Sequence, residues 1–122
     1  MKTFTYELLT VYYSVEEIKG TNVQVLSFEG KITHQNADQL GDDLENFFDK
    51  SLPYVIVDLS KLEYINSIGL AVILSLVRQV EDLDGKFAVG GRHKLVETII
   101  KLLEVSEHVR VFSSLEEAKR LW

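Results

Sequence analysis

Residues Tyr54-Val55-Ile56-Val57 form a continuous apolar run that stops at Asp58. A strand with one wet face alternates apolar and polar side chains. A run that is apolar at every position reads as a strand covered on both faces, the usual condition in a parallel sheet. Parallel neighbours cannot be joined by tight turns and need long crossovers, normally helices. The flanking sequence supplies such segments. Ala37, Leu40, Leu44, Phe47 and Phe48 recur at helical spacing with acids between them, the pattern of a helix with one buried stripe. Ser51-Leu52-Pro53 ends that helix, because proline disfavours helical backbone in the residue before it. A second helix is predicted from about Ser67 to Glu81. Asp84-Gly85 then turns into a short strand, Lys86–Val89, closed by Gly90-Gly91.

The alternation continues to the end of the chain. Leu95, Val96, Ile99, Ile100, Leu102 and Leu103 mark a third helix, and Val109–Phe112 a strand. Ser114-Leu115-Glu116-Glu117 is a capping box that opens a terminal helix, with Leu115, Ala118 and Leu121 on one side. Upstream, Phe4–Tyr13 and Val23–Phe28 are rich in β-branched and aromatic residues. They predict an antiparallel strand pair across a loop from Ser14 to Asn22, which carries Lys19-Gly20-Thr21-Asn22. The predicted order is β-β-α-β-α-β-α-β-α. It implies an α/β domain with a mixed, mostly parallel sheet, an antiparallel N-terminal strand pair and helices packed on the sheet. Crossovers should be right-handed, placing helices on the sheet faces. With 122 residues, one proline and no linker-like stretch, residues 1–122 read as a single domain.

Composition narrows the function. The 19 acidic side chains outnumber the 13 basic ones, for a formal charge of −6. An acidic surface repels phosphates, which argues against direct nucleic-acid binding. There is no cysteine, so disulfides, Cys-ligated metal centres and thiol catalysis are excluded. No window approaches the ~20 apolar residues of a membrane span, and the first residues lack the apolar core of a signal peptide. A cytoplasmic protein without a membrane segment is the expectation. Glycine-rich phosphate loops and the Gly-x-Ser-x-Gly elbow are absent. His34, His93 and His108 are far apart and read as surface histidines, not metal ligands. Asp42-Asp43 reads as one polar helix face, and Glu81, Asp82 and Asp84 as solvated charge. No catalytic residue, metal or cofactor is expected.

The segment after the apolar strand is more informative. In open α/β sheets ligands and partners meet the carboxyl ends of the strands. The strand to Asp58, the following loop and a helix opening at Asn66-Ser67 put Ser67 at that rim. One reading makes Asn66 or Ser67 simply the helix N-cap. At 100° per residue, Leu70, Ile73, Leu74, Leu76, Val77 and Val80 cover one broad side of this helix. Ser75, Arg78 and Gln79 lie opposite, and Ile68, Ala71 and Val72 lean the same way. Either the helix is almost fully buried, or these apolar residues form a docking surface.

Val57-Asp58-Leu59-Ser60 and Ile65-Asn66-Ser67-Ile68-Gly69-Leu70 resemble the signature of STAS domains, in particular the bacterial anti-sigma factor antagonists. Phe28-Glu29-Gly30-Lys31-Ile32 before a helix matches another element of that family. The resemblance implies partner switching. The antagonist binds an anti-sigma factor when unphosphorylated. It releases that factor once the motif serine has been phosphorylated by the anti-sigma factor itself, an ATPase-type serine kinase, and a PPM-type phosphatase resets it. Carried over, Ser67 is the phosphoacceptor, and Thr33, His34, Asn66, Ile68, Gly69, Ala71, Val72 and Ser75 form the partner surface. Asp58 would fix the loop and take no part in chemistry. The sequence departs from the family pattern at Asn66, where Asp is frequent, at Ile68, where a second Ser is frequent, and at Thr33, where Asp is common. The alternative is a STAS scaffold or transporter-associated subunit that is never phosphorylated.

Overall fold

The computed structural model describes residues 1–91, 94–103 and 109–122. The strands are β1 (Lys2–Tyr6), β2 (Leu9–Ile18), β3 (Thr21–Ile32), β4 (Tyr54–Ile65), β5 (Lys86–Gly90) and β6 (Val109–Phe112). The helices are α1 (Ala37–Phe47), α2 (Ser67–Asp82), α3 (Lys94–Leu103) and α4 (Leu115–Leu121). The six strands lie side by side in chain order. β1, β2 and β3 pair antiparallel, and β3 through β6 pair parallel. The mixed sheet expected from the sequence is therefore present.

Strand order explains where the helices go. Each crossover from β3 to β6 steps one place in the same direction, so right-handed connections put their helices on one face. On that face, Leu40 and Leu44 of α1, Ile73, Val77 and Val80 of α2 and Ile99 of α3 pack on Val11, Leu26, Phe28, Val55, Val57 and Val89. The reverse face holds a smaller cluster. There Ala118 of α4, flanked by Leu115 and Trp122, meets Val23, Val25, Ile56, Ala88 and Phe112. Val55 and Val57 thus point one way and Ile56 the other, which is why that strand shows no alternation. The Glu16 carboxylate and the Lys119 ammonium, 2.7 Å apart, tie α4 to β2. Of the third helix's apolar set, Leu95 and Ile99 join the core, and the side chains of Val96, Ile100, Leu102 and Leu103 lie outside the described residues.

Three features differ from the sequence reading. The Phe4–Tyr13 run is two strands, so the sheet has one strand more than the order predicted. Glu7-Leu8 turns the chain, with Leu8 at φ 65, a bend that neither residue type announces. The stretch Ser14–Asn22 is mostly strand, closed by the two-residue turn Lys19-Gly20 at φ 51 and φ 83. Positive φ at both positions is the turn that matches strand twist. β4 does not end at Asp58 but runs on to Ile65. Its pairing with β3 shifts register twice, between Ser27 and Glu29 and between Gly30 and Lys31. These irregularities break the period of two that marks a strand in sequence. At the first shift the Asp58 carboxylate accepts the Ser60 N–H at 3.0 Å, so it holds an irregularity inside β4 and not the loop expected to follow it.

Candidate functional site

The register of β3 and β4 places the start of α2. Ile32 pairs with Ile65 at the end of both strands, and the Asn66 N–H donates to the Ile32 carbonyl at 3.1 Å. Asn66 is extended (φ −91, ψ 179), and its side-chain oxygen accepts the Gly69 N–H at 2.8 Å. Asn66 is therefore the N-cap, and Ser67 is the first helical residue. Capping leaves Ser67 unoccupied. It is exposed, and its hydroxyl has no hydrogen-bond partner among the described residues.

Gly69 is buried, although the resemblance put it on the partner surface. A Cβ there would lie 2.6 Å from Ile32 Cγ2 and 2.8 Å from Ile65 Cγ1. Its role is to let the first turn of α2 rest directly on the ends of β3 and β4. Beyond it the helix presents Ile68, 42% exposed, with Ala71 and Ser75 exposed and Val72 half-buried. The buried side is Ile73, Leu76, Val77 and Val80. α2 is thus not buried all round, and Leu70 and Leu74, assigned to the core side, are only partly covered.

Thr33 and His34 lie in the loop between β3 and α1, next to the paired ends Ile32 and Ile65. Asn36 holds that loop: its oxygen accepts the Thr33 N–H at 2.9 Å, and its amide donates to the Glu7 and Lys31 carbonyls at 2.6 and 2.9 Å. His34 is exposed, while Thr33 is half-buried. His93 and His108 lie outside the described residues. Among the described residues no three His, Asp or Glu side chains gather as a metal site. No helix among them is long and apolar enough to cross a membrane.

A groove of about 290 Å³ runs between α1 and α2 beside Ser67. One wall is Ile68, Ala71, Val72 and Ser75, and the other is Ala37, Gly41 and Leu44 with Asp38, Asp42 and Glu45 at the rim. The sequence reading placed nothing of α1 in the site. Its one signal was Gly41 inside an amphipathic helix: a Cβ there would come within 3.3 Å of Val72 Cγ2. Displaced pKa values occur elsewhere. Burial and the Asp43 carboxylate push the Tyr6 phenol up, and burial raises Tyr13. Hydrogen bonds from Ser51 hold Asp49 below the usual carboxylate range. The site near Ser67 is an exposed hydroxyl beside an apolar patch of Ile68, Ala71 and Val72.

Comparison with known proteins bears on the family and the fold. The STAS domain family model matches residues 12–118. BtrV of Bordetella bronchiseptica, provisionally named an anti-sigma factor antagonist, is 28% identical over 99 residues, covering 81% of each protein. The crystal structure of an anti-sigma factor antagonist from Mycobacterium paratuberculosis superposes with a TM-score of 0.68 and 25% identity, over 90% of this chain and 94% of that one. The murine anion transporter Slc26a9 contains the same fold. It matches 81% of this chain with a TM-score of 0.64 and 17% identity, and the match spans 17% of the transporter.

Proposed function

Because this chain belongs to the STAS domain family, we propose that it is an anti-sigma factor antagonist working by partner switching on Ser67. Unphosphorylated, it binds an anti-sigma factor through Ile68, Ala71, Val72 and Ser75, with Thr33, His34 and Asn66 at the margin. The anti-sigma factor, an ATPase-type serine kinase, transfers the γ-phosphoryl group of ATP to the Ser67 oxygen, releasing ADP and the hydroxyl proton. The product lets go. A PPM-type phosphatase hydrolyses the ester and returns the free serine and inorganic phosphate. On this reading the protein is not itself an enzyme and works in the cytoplasm. The supporting observation is the unpartnered Ser67 hydroxyl beside the exposed Ile68 side chain.

The physics favours release over unfolding. A phosphoserine carries about −1.5 to −2 charges at neutral pH. At a helix N-terminus that charge is stabilised by roughly 0.3–1 kcal/mol. Covered by an apolar partner surface, the same dianion costs several kcal/mol unless it is paired. A loss of ~3 kcal/mol weakens binding over a hundredfold.

The test is calorimetric titration of the anti-sigma factor that co-purifies with this protein against wild type, Ser67→Ala and Ser67→Glu. Ser67→Ala should bind and resist phosphorylation, while Ser67→Glu should bind weakly and melt like wild type. Equal binding by all three variants refutes the mechanism. Similarity to a transporter domain supports a second reading, a STAS module that is never modified. Mass spectrometry of protein purified from its host separates the two, since only the first predicts a phosphorylated form at Ser67.

A further inference from the structure

We propose that two copies of this chain associate weakly through the free edge of β1, joining their sheets edge to edge about a two-fold axis at Phe4. Among the described residues β1 ends the sheet and pairs only with β2. Its outward backbone groups follow from hairpin geometry. Ile18 and Thr21 flank a two-residue turn and so exchange both hydrogen bonds. Counting back along β2 by twos, Leu9, Val11 and Tyr13 face β1, where they pair with Tyr6, Phe4 and Lys2. Thr3 and Thr5 therefore turn their N–H and C=O groups to the open edge. The usual protections of an edge are missing from this strand: it has no proline and no bulge, and its only charge is Lys2.

The edge is complementary to itself. With the axis at Phe4, Thr3 lies opposite the partner's Thr5 in a hydrogen-bonded pair, and Lys2 lies opposite the partner's Tyr6. Phe4 meets the partner's Phe4 across a non-bonded pair, where side chains are closest. Phe4 already stacks on Phe47 at 4.4 Å but stays half-exposed, so the partner's ring would complete its cover. The Tyr6 hydroxyl donates to Asp43 at 2.6 Å, and the Gln39 amide donates to the same carboxylate at 3.0 Å. Among the described residues no cation pairs with Asp43. The partner's Lys2, beside Tyr6, would bring an ammonium to it, and symmetry repeats the pair. An edge of five residues is small beside the ~1,200 Å² of a stable interface, so the dimer should be weak and concentration-dependent.

The chain has no cysteine, which makes cross-linking a clean assay. Opposed residues at a non-bonded pair have Cα atoms about 4.5 Å apart, within disulfide range. Phe4→Cys should form a disulfide-linked dimer on mild oxidation, and Leu121→Cys, exposed on α4, should not. Sedimentation velocity over a dilution series should show wild type passing from dimer to monomer. Thr5→Pro removes an N–H unused in the monomer, so it should fold by circular dichroism and remain monomeric. Lys2→Glu should weaken the dimer roughly tenfold. A wild type that stays monomeric at every concentration overturns the proposal. So does a dimer that Thr5→Pro and Lys2→Glu both leave intact, or equal cross-linking at positions 4 and 121.

Discussion

Substituting Gly69 tests how tightly the first turn of α2 rests on the sheet. In Gly69→Ala the new methyl lies 2.6 Å from Ile32 Cγ2, 2.8 Å from Ile65 Cγ1 and 3.2 Å from Ile32 Cβ. Carbon atoms in contact prefer about 3.5–4.0 Å, so the first turn of α2 must move outward by about 1 Å or two isoleucines must repack. Neither has room, since Ile32 is 0% and Ile65 9% exposed. Two contacts under 3 Å put this overpacking in the upper part of the usual range, about 2–3 kcal/mol. Alanine recovers up to ~1 kcal/mol of helix propensity, leaving a net loss of at least about 1–2 kcal/mol. Urea unfolding followed by circular dichroism reads that difference directly, and the melting temperature should fall by several degrees. Gly41→Ala is the internal control. Its methyl meets Val72 Cγ2 at 3.3 Å, the far end of a half-buried side chain, so its cost should be smaller and propensity should offset it. A Gly69→Ala protein as stable as wild type, or no worse than Gly41→Ala, would show that the contact at the head of α2 is loose and that Ser67 is not rigidly held.

Two further predictions concern the frame behind the site. Gln24 is 0% exposed and makes four hydrogen bonds: its oxygen accepts from the Tyr13 hydroxyl (2.8 Å) and the Asp49 N–H (2.9 Å), and its amide donates to the carbonyls of Asp49 (3.0 Å) and Leu52 (2.6 Å). Gln24→Met keeps the length and strands all four partners, so urea titration should show a loss of at least ~3 kcal/mol; a loss under ~1 kcal/mol would mean that water replaces the amide. The raised phenols of Tyr6 and Tyr13 predict alkaline sensitivity. Below the unfolded pKa of about 10 both states hold the proton and the stabilisation is complete. Above it the unfolded chain releases protons that the native one keeps, so stability falls as pH rises. Urea midpoints across that range should drop for wild type and flatten in a Tyr6→Phe, Tyr13→Phe double variant.

The parallel half of the sheet was legible because its strands are buried on both faces. Val55, Ile56 and Val57 point alternately to α1–α3 and to α4, so every position is apolar and the run stands out. The antiparallel half is wetter. On β2, Ser14, Glu16 and Glu17 are not buried, and a stretch of polar strand reads as a loop. The Glu7-Leu8 turn lacks the usual turn residues, since the left-handed position falls on Leu8. β4 beyond Asp58 was hidden by its bulges: Leu59, Leu62 and Ile65 are buried at intervals of three, a spacing no strand template matches. The site divides the same way. Ser67 and the apolar residues following it are contiguous in sequence and could be found by motif and helical phase. The α1 wall of the groove could not, because only tertiary packing brings Gly41 against Val72.

The first turn of α2 constrains how the proposed switch can operate. Asn66 closes the turn through the Gly69 N–H and anchors it to the Ile32 carbonyl, while Gly69 seats it on two buried isoleucines. A phosphate on Ser67 therefore meets a backbone with little freedom to move aside. Its charge is favoured by the helix terminus by at most ~2 kcal/mol, and among the described residues no basic side chain lines the neighbouring groove. Most of the free energy of modification must then appear in whatever covers Ile68, one residue away. On the proposed mechanism the kinase is the binding partner, so the surface that covers Ile68 also reaches the Ser67 hydroxyl. Phosphoryl transfer within that complex would leave a dianion against the covering surface, and release would follow without a conformational change in this protein. Amide hydrogen exchange tests that directly: Ser67→Glu should match wild type in the β3, β4 and α2 backbone while losing affinity for the anti-sigma factor. Loosened exchange along α2 would instead mean that release operates by melting the helix, and that this turn is a hinge.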